Sequence, residues 1–162
     1  MSKANDAVKV EKLNIVEMDG FTARHSLCAA TWNEKTVMFG GQDVIKELCL
    51  NEVYSYNHKN NELEKLEHDL QEFLKNKETY IIPAKRNSHT FVQNEKVAYI
   101  YGGANEDGPL NDAFSLDLET LKFSKIKIED VNMAPYFEMH TSHLYKGDKL
   151  LLIGGRSHVL PS

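Results

Sequence analysis

Histidine, cysteine and arginine are the residues of this chain whose types and spacing could do chemistry. His140 and His143 form a His-x-x-His pair. On a helix such a pair shares a face and can share a metal, but in a strand positions three apart point to opposite faces. The surrounding residues read as a strand, so joint ligation is not expected. His25, His89 and His140 recur 15, 13 and 14 residues ahead of three Gly-Gly pairs. That regularity assigns them to packing and hydrogen bonding rather than to catalysis. Cys28 and Cys49 sit among apolar neighbours and read as small buried hydrophobes, because a reactive thiolate needs an electropositive, part-exposed setting. No Ser/His/Asp set, paired carboxylates or metal-ligand spacing is legible, and neither a Gly-x-Gly-x-x-Gly nor a Walker pattern occurs. The residues therefore ask for no cofactor and no metal. The arginines are more telling. There are three of them against sixteen lysines: Arg24 beside His25, Arg86 three residues before His89, and Arg156 directly after Gly154-Gly155. Where lysine dominates, an arginine marks a place that needs a planar, multi-donor cation, for instance to tie neighbouring strands together.

The elements that must position these residues repeat. Val37-Met38-Phe39 runs into Gly40-Gly41, Tyr99-Ile100-Tyr101 into Gly102-Gly103, and Leu151-Leu152-Ile153 into Gly154-Gly155, the pairs being 62 and 52 residues apart. Ahead of each run is a polar break, Asn33-Glu34-Lys35, Asn94-Glu95-Lys96 and Lys146-Gly147-Asp148-Lys149, as hairpin loops require. After the first two pairs come Leu50-Asn51-Glu52-Val53-Tyr54-Ser55-Tyr56-Asn57 and Leu110-Asn111-Asp112-Ala113-Phe114-Ser115-Leu116-Asp117, which match position by position in residue type. Such periodicity signals a repeat architecture. Each unit reads as four short strands, in the clearest case near His89 to Val92, Val97 to Tyr101, Asp112 to Asp117 and Leu121 to Ile128. The second strand is apolar without interruption and is expected to be buried on both faces. In the third, Ala113, Ser115 and Asp117 fall on one side and Phe114, Leu116 and Leu118 on the other. The paired glycines are expected to shape the backbone where the chain turns.

The chain has 162 residues, 41% of them apolar and 27% charged, with a formal net charge of -5. These values suit a folded domain. Mild acidity argues against a general nucleic-acid binder, which needs a concentrated basic surface. The short apolar runs argue against a membrane-spanning helix. Few cysteines and no secretory leader lead us to expect a cytoplasmic protein, with nuclear or cytoskeletal association left open.

The histidine, the apolar run into Gly-Gly, the Leu-Asn-(Asp/Glu)-(Val/Ala)-(Tyr/Phe) block and the turn after it resemble the kelch-repeat β-propeller family over roughly residues 8 to 158. The resemblance implies an all-β fold: a kelch-type propeller segment of four-stranded antiparallel blades forming an incomplete ring. The family usually has a Trp in the fourth strand, where this chain has Leu63 and Phe123; its only Trp, Trp32, lies near the first hairpin. We expect a disordered stretch at 1–7, a lone outer strand at 8–18, blades at 24–67 and 86–128, and a half blade at 139–162. An insertion at 68–82, either a loop or a short helix, separates the blades. Closed propellers need about four to eight blades, so the chain is expected to be a fragment of a longer protein. The repeat positions are His25, Gly40, Gly41, Tyr54, His89, Gly102, Gly103, Phe114, His140, Gly154 and Gly155. The resemblance further implies a non-catalytic scaffold that presents its loops to a protein partner. Candidate binding residues are Arg24, Arg86 and Arg156, with Gln42 and Asp43 in the first loop after Gly-Gly and Asn105, Glu106 and Asp107 in the second. Two other readings stay open: part of a propeller enzyme or an enzyme's accessory domain, and a segment that self-associates through open blade edges.

Overall fold

The computed structural model describes residues 10, 12, 20–66, 81–129, 134–147 and 149–157. Every regular element among them is a strand. In chain order these are β1 (Arg24–His25), β2 (Cys28–Trp32), β3 (Lys35–Phe39), β4 (Gln42–Asp43), β5 (Val53–Asn57), β6 (Glu62–Lys65), β7 (Thr90–Asn94), β8 (Val97–Tyr101), β9 (Ala104–Asn105), β10 (Gly108–Pro109), β11 (Ala113–Asp117), β12 (Phe123–Ile126), β13 (Phe137–Tyr145) and β14 (Lys149–Ser157). Two antiparallel sheets have four strands each, β2-β3-β5-β6 and β7-β8-β11-β12, and β13-β14 forms a hairpin. The short pairs β1-β4 and β9-β10 lie in the connections. The expected insertion at 68–82 lies outside the described residues apart from Ile81 and Ile82, as does the 8–18 strand apart from Val10 and Lys12.

Local chemistry sets these boundaries. Asn33 and Glu95 adopt left-handed φ values of 53° and 50° in the tight turns of the first two hairpins. In the turn between β11 and β12, the amides of Glu119 and Thr120 donate to Asp117 Oδ1. Leu121 then takes φ 60°, and its amide closes on Asp117 O at 2.7 Å. That turn delays the fourth strand to Phe123, two residues later than the sequence pattern suggests. The β5–β6 turn is built the same way, with Asn61 at φ 59° bonded to Asn57 O.

The core lies between the two complete sheets. Val37, Phe39 and Val53 of the first face Ala98, Ile100, Phe114, Leu116 and Phe123 of the second. Phe123, which stands in the usual Trp position, is buried and lies 5.3 Å from the Phe39 ring. The second strand is not buried on both faces as expected: in β3 and β8 Val37, Phe39, Ala98 and Ile100 are buried, while Met38 and Tyr99 on the opposite faces are half-buried. In β14, Leu151 and Ile153 are each about half exposed. Their strand has the same apolar pattern, but no described residue packs on that side.

The glycine pairs join the sheets. A Cβ on Gly102 would stand 2.5 Å from Phe137 O and 3.3 Å from the His140 ring, both in the next unit. One on Gly103 would stand 2.5 Å from Asn87 O and 2.9 Å from His89 Cβ, in its own unit. Gly40 and Gly41 repeat this arrangement against Arg86 O and the His89 ring on one side, and His25 O and Leu27 on the other. The first glycine thus admits the neighbouring sheet and the second admits its own first strand. This geometry corrects one expectation. Leu27, not His25, occupies the place held by His89 and His140; His25 lies two residues out of register and is exposed.

Candidate interaction face and its supporting framework

At the inner end of each unit one residue takes a left-handed conformation: Ser26 (φ 55°), Ser88 (φ 53°) and Met139 (φ 56°). The Ser88 amide donates to Ser26 O and the Met139 amide to Ser88 O, each at 3.0 Å. A second set of main-chain bonds runs from Gly41 N to Arg86 O and from Gly103 N to Phe137 O. The three units are therefore stacked through backbone.

The first two arginines belong to this framework. Arg86 is fully buried. It donates to Asp112 through both terminal nitrogens (2.7 and 3.1 Å) and to the carbonyls of Ala84 and Gly102. Its guanidinium carbon lies 5.3 Å from the Phe114 ring centroid. Arg24 repeats this construction on Glu52 at 2.8 Å, over Phe21 and Tyr54. The acidic residue of each Leu-Asn-(Asp/Glu) block is therefore the arginine's counter-ion, and the aromatic two residues later is its platform. Glu52 also receives Lys65 Nζ at 2.7 Å. Burial pushes the Glu52 carboxyl up, but hydrogen bonds and charge from Lys65 and Arg24 outweigh it and leave the group below its ordinary value. Arg156 is placed differently. Phe137 stands where Arg24 and Arg86 stand, and Arg156 lies after the glycines with its side chain 62% exposed and paired to Glu138 at 2.6 Å.

The loops after Gly-Gly are tied down at the base. Asp43 is buried and accepts the amides of Ile45 and Lys46 at 2.9 and 2.8 Å, which hold its carboxyl below the usual range. Glu106 Oε1 accepts the Cys49 amide at 2.6 Å, so the second loop is fastened to the first. That bond lowers the Glu106 pKa. Gln42 Nε2 donates to Glu47 O, and Asn87 Nδ2 donates to Gln42 Oε1. Asn105 Oδ1 accepts the Asp107 amide, and Asp107 itself is exposed. Above this base stands a feature the sequence reading passed over: Val44 is 53%, Ile45 87% and Leu48 48% exposed. The signal was available as three large apolar residues between Gln42 and Cys49, in a segment too short for an alternating strand.

The remaining candidates for chemistry are buried or separated. His140 is buried and bonded to Thr90 Oγ1 at 3.1 Å, while His143 on the same strand is exposed. His89 is buried between Phe39 and Phe91 with both ring nitrogens unpartnered, and burial, aided by nearby Arg86 and His140, lowers its pKa to about 3. The Cys28 thiol donates to His89 O, and burial pushes it up to about 11. Among the described residues no group of three or more His, Cys, Asp or Glu side chains is placed to hold a metal ion.

Sheets of four antiparallel strands, stacked through Gly-Gly joints and left-handed inner residues, define an incomplete β-propeller. Residues 8–161 match the family model KLHDC2/KLHL20/DRC7 Kelch-repeats domain, and the chain belongs to the kelch-repeat family. No curated protein matches it individually. Kelch-repeat domains generally serve as protein-interaction modules and are typically non-enzymatic.

Proposed function

We propose that this chain is a non-catalytic interaction module that offers the Gln42–Leu48 loop, the Asn105–Gly108 loop and Arg156 to a protein partner. The exposure of Val44, Ile45 and Leu48 carries this reading. Three apolar side chains are held in solvent by a loop whose base is locked by Asp43 and Glu106. Ordering such a loop in advance lowers the entropy cost of binding. A rigid β scaffold with dissimilar loops at one end suits recognition. Arg156 occupies the position of Gln42 and Ala104 in its own unit, each directly after Gly-Gly, and brings a cation to the same end.

The test is quantitative capture of cell proteins by the parent chain, by Ile45→Asp and by Arg156→Ala. Ile45→Asp should lose the partner that the parent enriches, and Arg156→Ala should weaken its capture. Ile45→Asp should melt within about 2 °C of the parent, as exposed substitutions do; Arg156→Ala takes a partner from the buried Glu138 and should melt lower, so capture is compared well below its transition. An unchanged capture profile for both would refute the assignment of this face.

A further inference from the structure

The charges around the two loops after the first and second Gly-Gly pairs are unequally placed. Glu106 Oε1 accepts the Cys49 amide at 2.6 Å, so Glu47 and Leu48 on one loop and Asp107 on the other flank a single junction. The cations at this end each have an anion of the protein to act on. Arg156 pairs with Glu138 at 2.6 Å, Lys46 acts on Asp43, and Lys85 acts on Glu106. Glu47 and Asp107 are exposed, and among the described residues neither has an ion-pair partner.

Glu47 is also held in an unusual conformation. Its φ of 56° is left-handed, a region that glycine and asparagine enter more readily than glutamate. Its amide donates to Asp43 O at 3.0 Å, and its carbonyl accepts Gln42 Nε2 at 2.9 Å. The backbone there is fixed at both ends, and a carboxylate stands in solvent where asparagine would suit the turn better. Beside it are the exposed side chains of Ile45 and Leu48. Apolar surface bordered by two uncompensated carboxylates complements apolar side chains bordered by cations. A segment rich in Asp or Glu would meet repulsion at both carboxylates.

We infer that the partner segment taken by this face carries apolar side chains flanked by lysine or arginine, the apolar groups packing on Ile45 and Leu48 and the cations pairing with Glu47 and Asp107. The inference rests on the loop face proposed above being the docking surface and adds the chemistry of what docks there. The apolar contacts carry most of the affinity in such an arrangement, while exposed ion pairs at its border contribute modestly, speed encounter and exclude acidic competitors.

A phage-displayed library of random peptides, panned on the full chain, tests this. Enriched peptides should combine apolar residues with an excess of Lys and Arg over Asp and Glu. The most enriched of them, made with a fluorescein label and followed by anisotropy, should bind the double variant Glu47→Asn/Asp107→Ser about three- to tenfold more weakly than the parent. Asparagine accepts the left-handed backbone at position 47, so this variant should melt no lower than the parent, and its weaker binding then reports the lost charges. Ile45→Ser, which leaves the charge unchanged, should weaken binding at least about tenfold. Raising salt from about 50 to about 500 mM should weaken binding to the parent and barely alter binding to the double variant. Peptides that depend on Ile45 but show no excess of Lys and Arg, or that bind parent and double variant equally, would overturn the basic partner and leave the loop face standing. Peptides indifferent to Ile45→Ser, or no enrichment at all, would overturn both.

Discussion

Replacing His89 with leucine should remove much of this fold's acid sensitivity. The His89 ring is buried, has no hydrogen-bond partner for either nitrogen, and stays neutral down to about pH 3 because burial penalises its charged form. In the unfolded chain it regains an ordinary pKa of about 6.5. The folded value is the lower one, so the unfolded state binds more protons as pH falls. Stability is then lost progressively from about pH 6.5 down towards the folded value. At pH 5 the loss attributable to His89 is about 2 kcal/mol relative to pH 7.5. Leucine does not titrate, and Leu27 already fills the equivalent position in the first unit. At pH 7.5 the variant should be at least as stable as the parent. Each unpartnered buried nitrogen costs about 1–3 kcal/mol, whereas the edge contacts of the ring with Phe39 and Phe91 contribute about 0.5–1.5 kcal/mol each. Urea unfolding at pH 7.5 and pH 5 measures both quantities. A residual slope from His140 is expected, since burial lowers its pKa too. An unchanged pH dependence in His89→Leu would refute the reasoning. A loss above about 1 kcal/mol at pH 7.5 would also refute it, because the ring nitrogens would then have partners in solution.

The glycine joint and the buried arginine give two more predictions. Gly102→Ala combines a left-handed φ of 62° with a 2.5 Å approach to Phe137 O, and should destabilise by about 3 kcal/mol or more. Gly154→Ala has a φ of 70° but no neighbour within 4 Å, and should cost only about 1 kcal/mol; equal melting temperatures for the two variants would contradict the close-approach argument. Arg86→Lys cannot reproduce the bidentate bond to Asp112 together with the two carbonyl contacts, and should lower stability by about 2–4 kcal/mol in urea unfolding, whereas a loss under about 1 kcal/mol would mean that charge alone suffices there.

Much of the fold was legible because the information is local. The apolar run into Gly-Gly, the alternation around Phe114 and Leu116, and the turn residues Asn57 and Asp117 each fix a strand or an end without help from distant residues. The register of the first unit was misread because histidine was matched by type. The arginines give the true alignment: Arg24 and Arg86 each stand 16 residues before the first glycine of their pair, as Leu27 and His89 each stand 13 before it. Burial was less legible. Phe39 and Ile153 end similar apolar runs, but one is 1% and the other 50% exposed, because burial depends on whether another sheet lies alongside. Of the candidate site residues, Gln42 bonds within its own loop, Glu106 fastens the second loop to the first, and Arg156 pairs with Glu138. That Arg24, Arg86 and Asp43 would be sequestered in ion pairs and a turn cap could not be read from residue type, because it requires knowing which carboxylate or amide lies within reach.

The contacts passing from Ser26 to Ser88 to Met139 have an evolutionary consequence. They use only peptide groups, so the stacking tolerates whatever side chain can accept that backbone twist, and here it tolerates both serine and methionine. Side chains along this row of contacts can therefore be exchanged, hydroxyl for thioether, while the spacing between units stays the same.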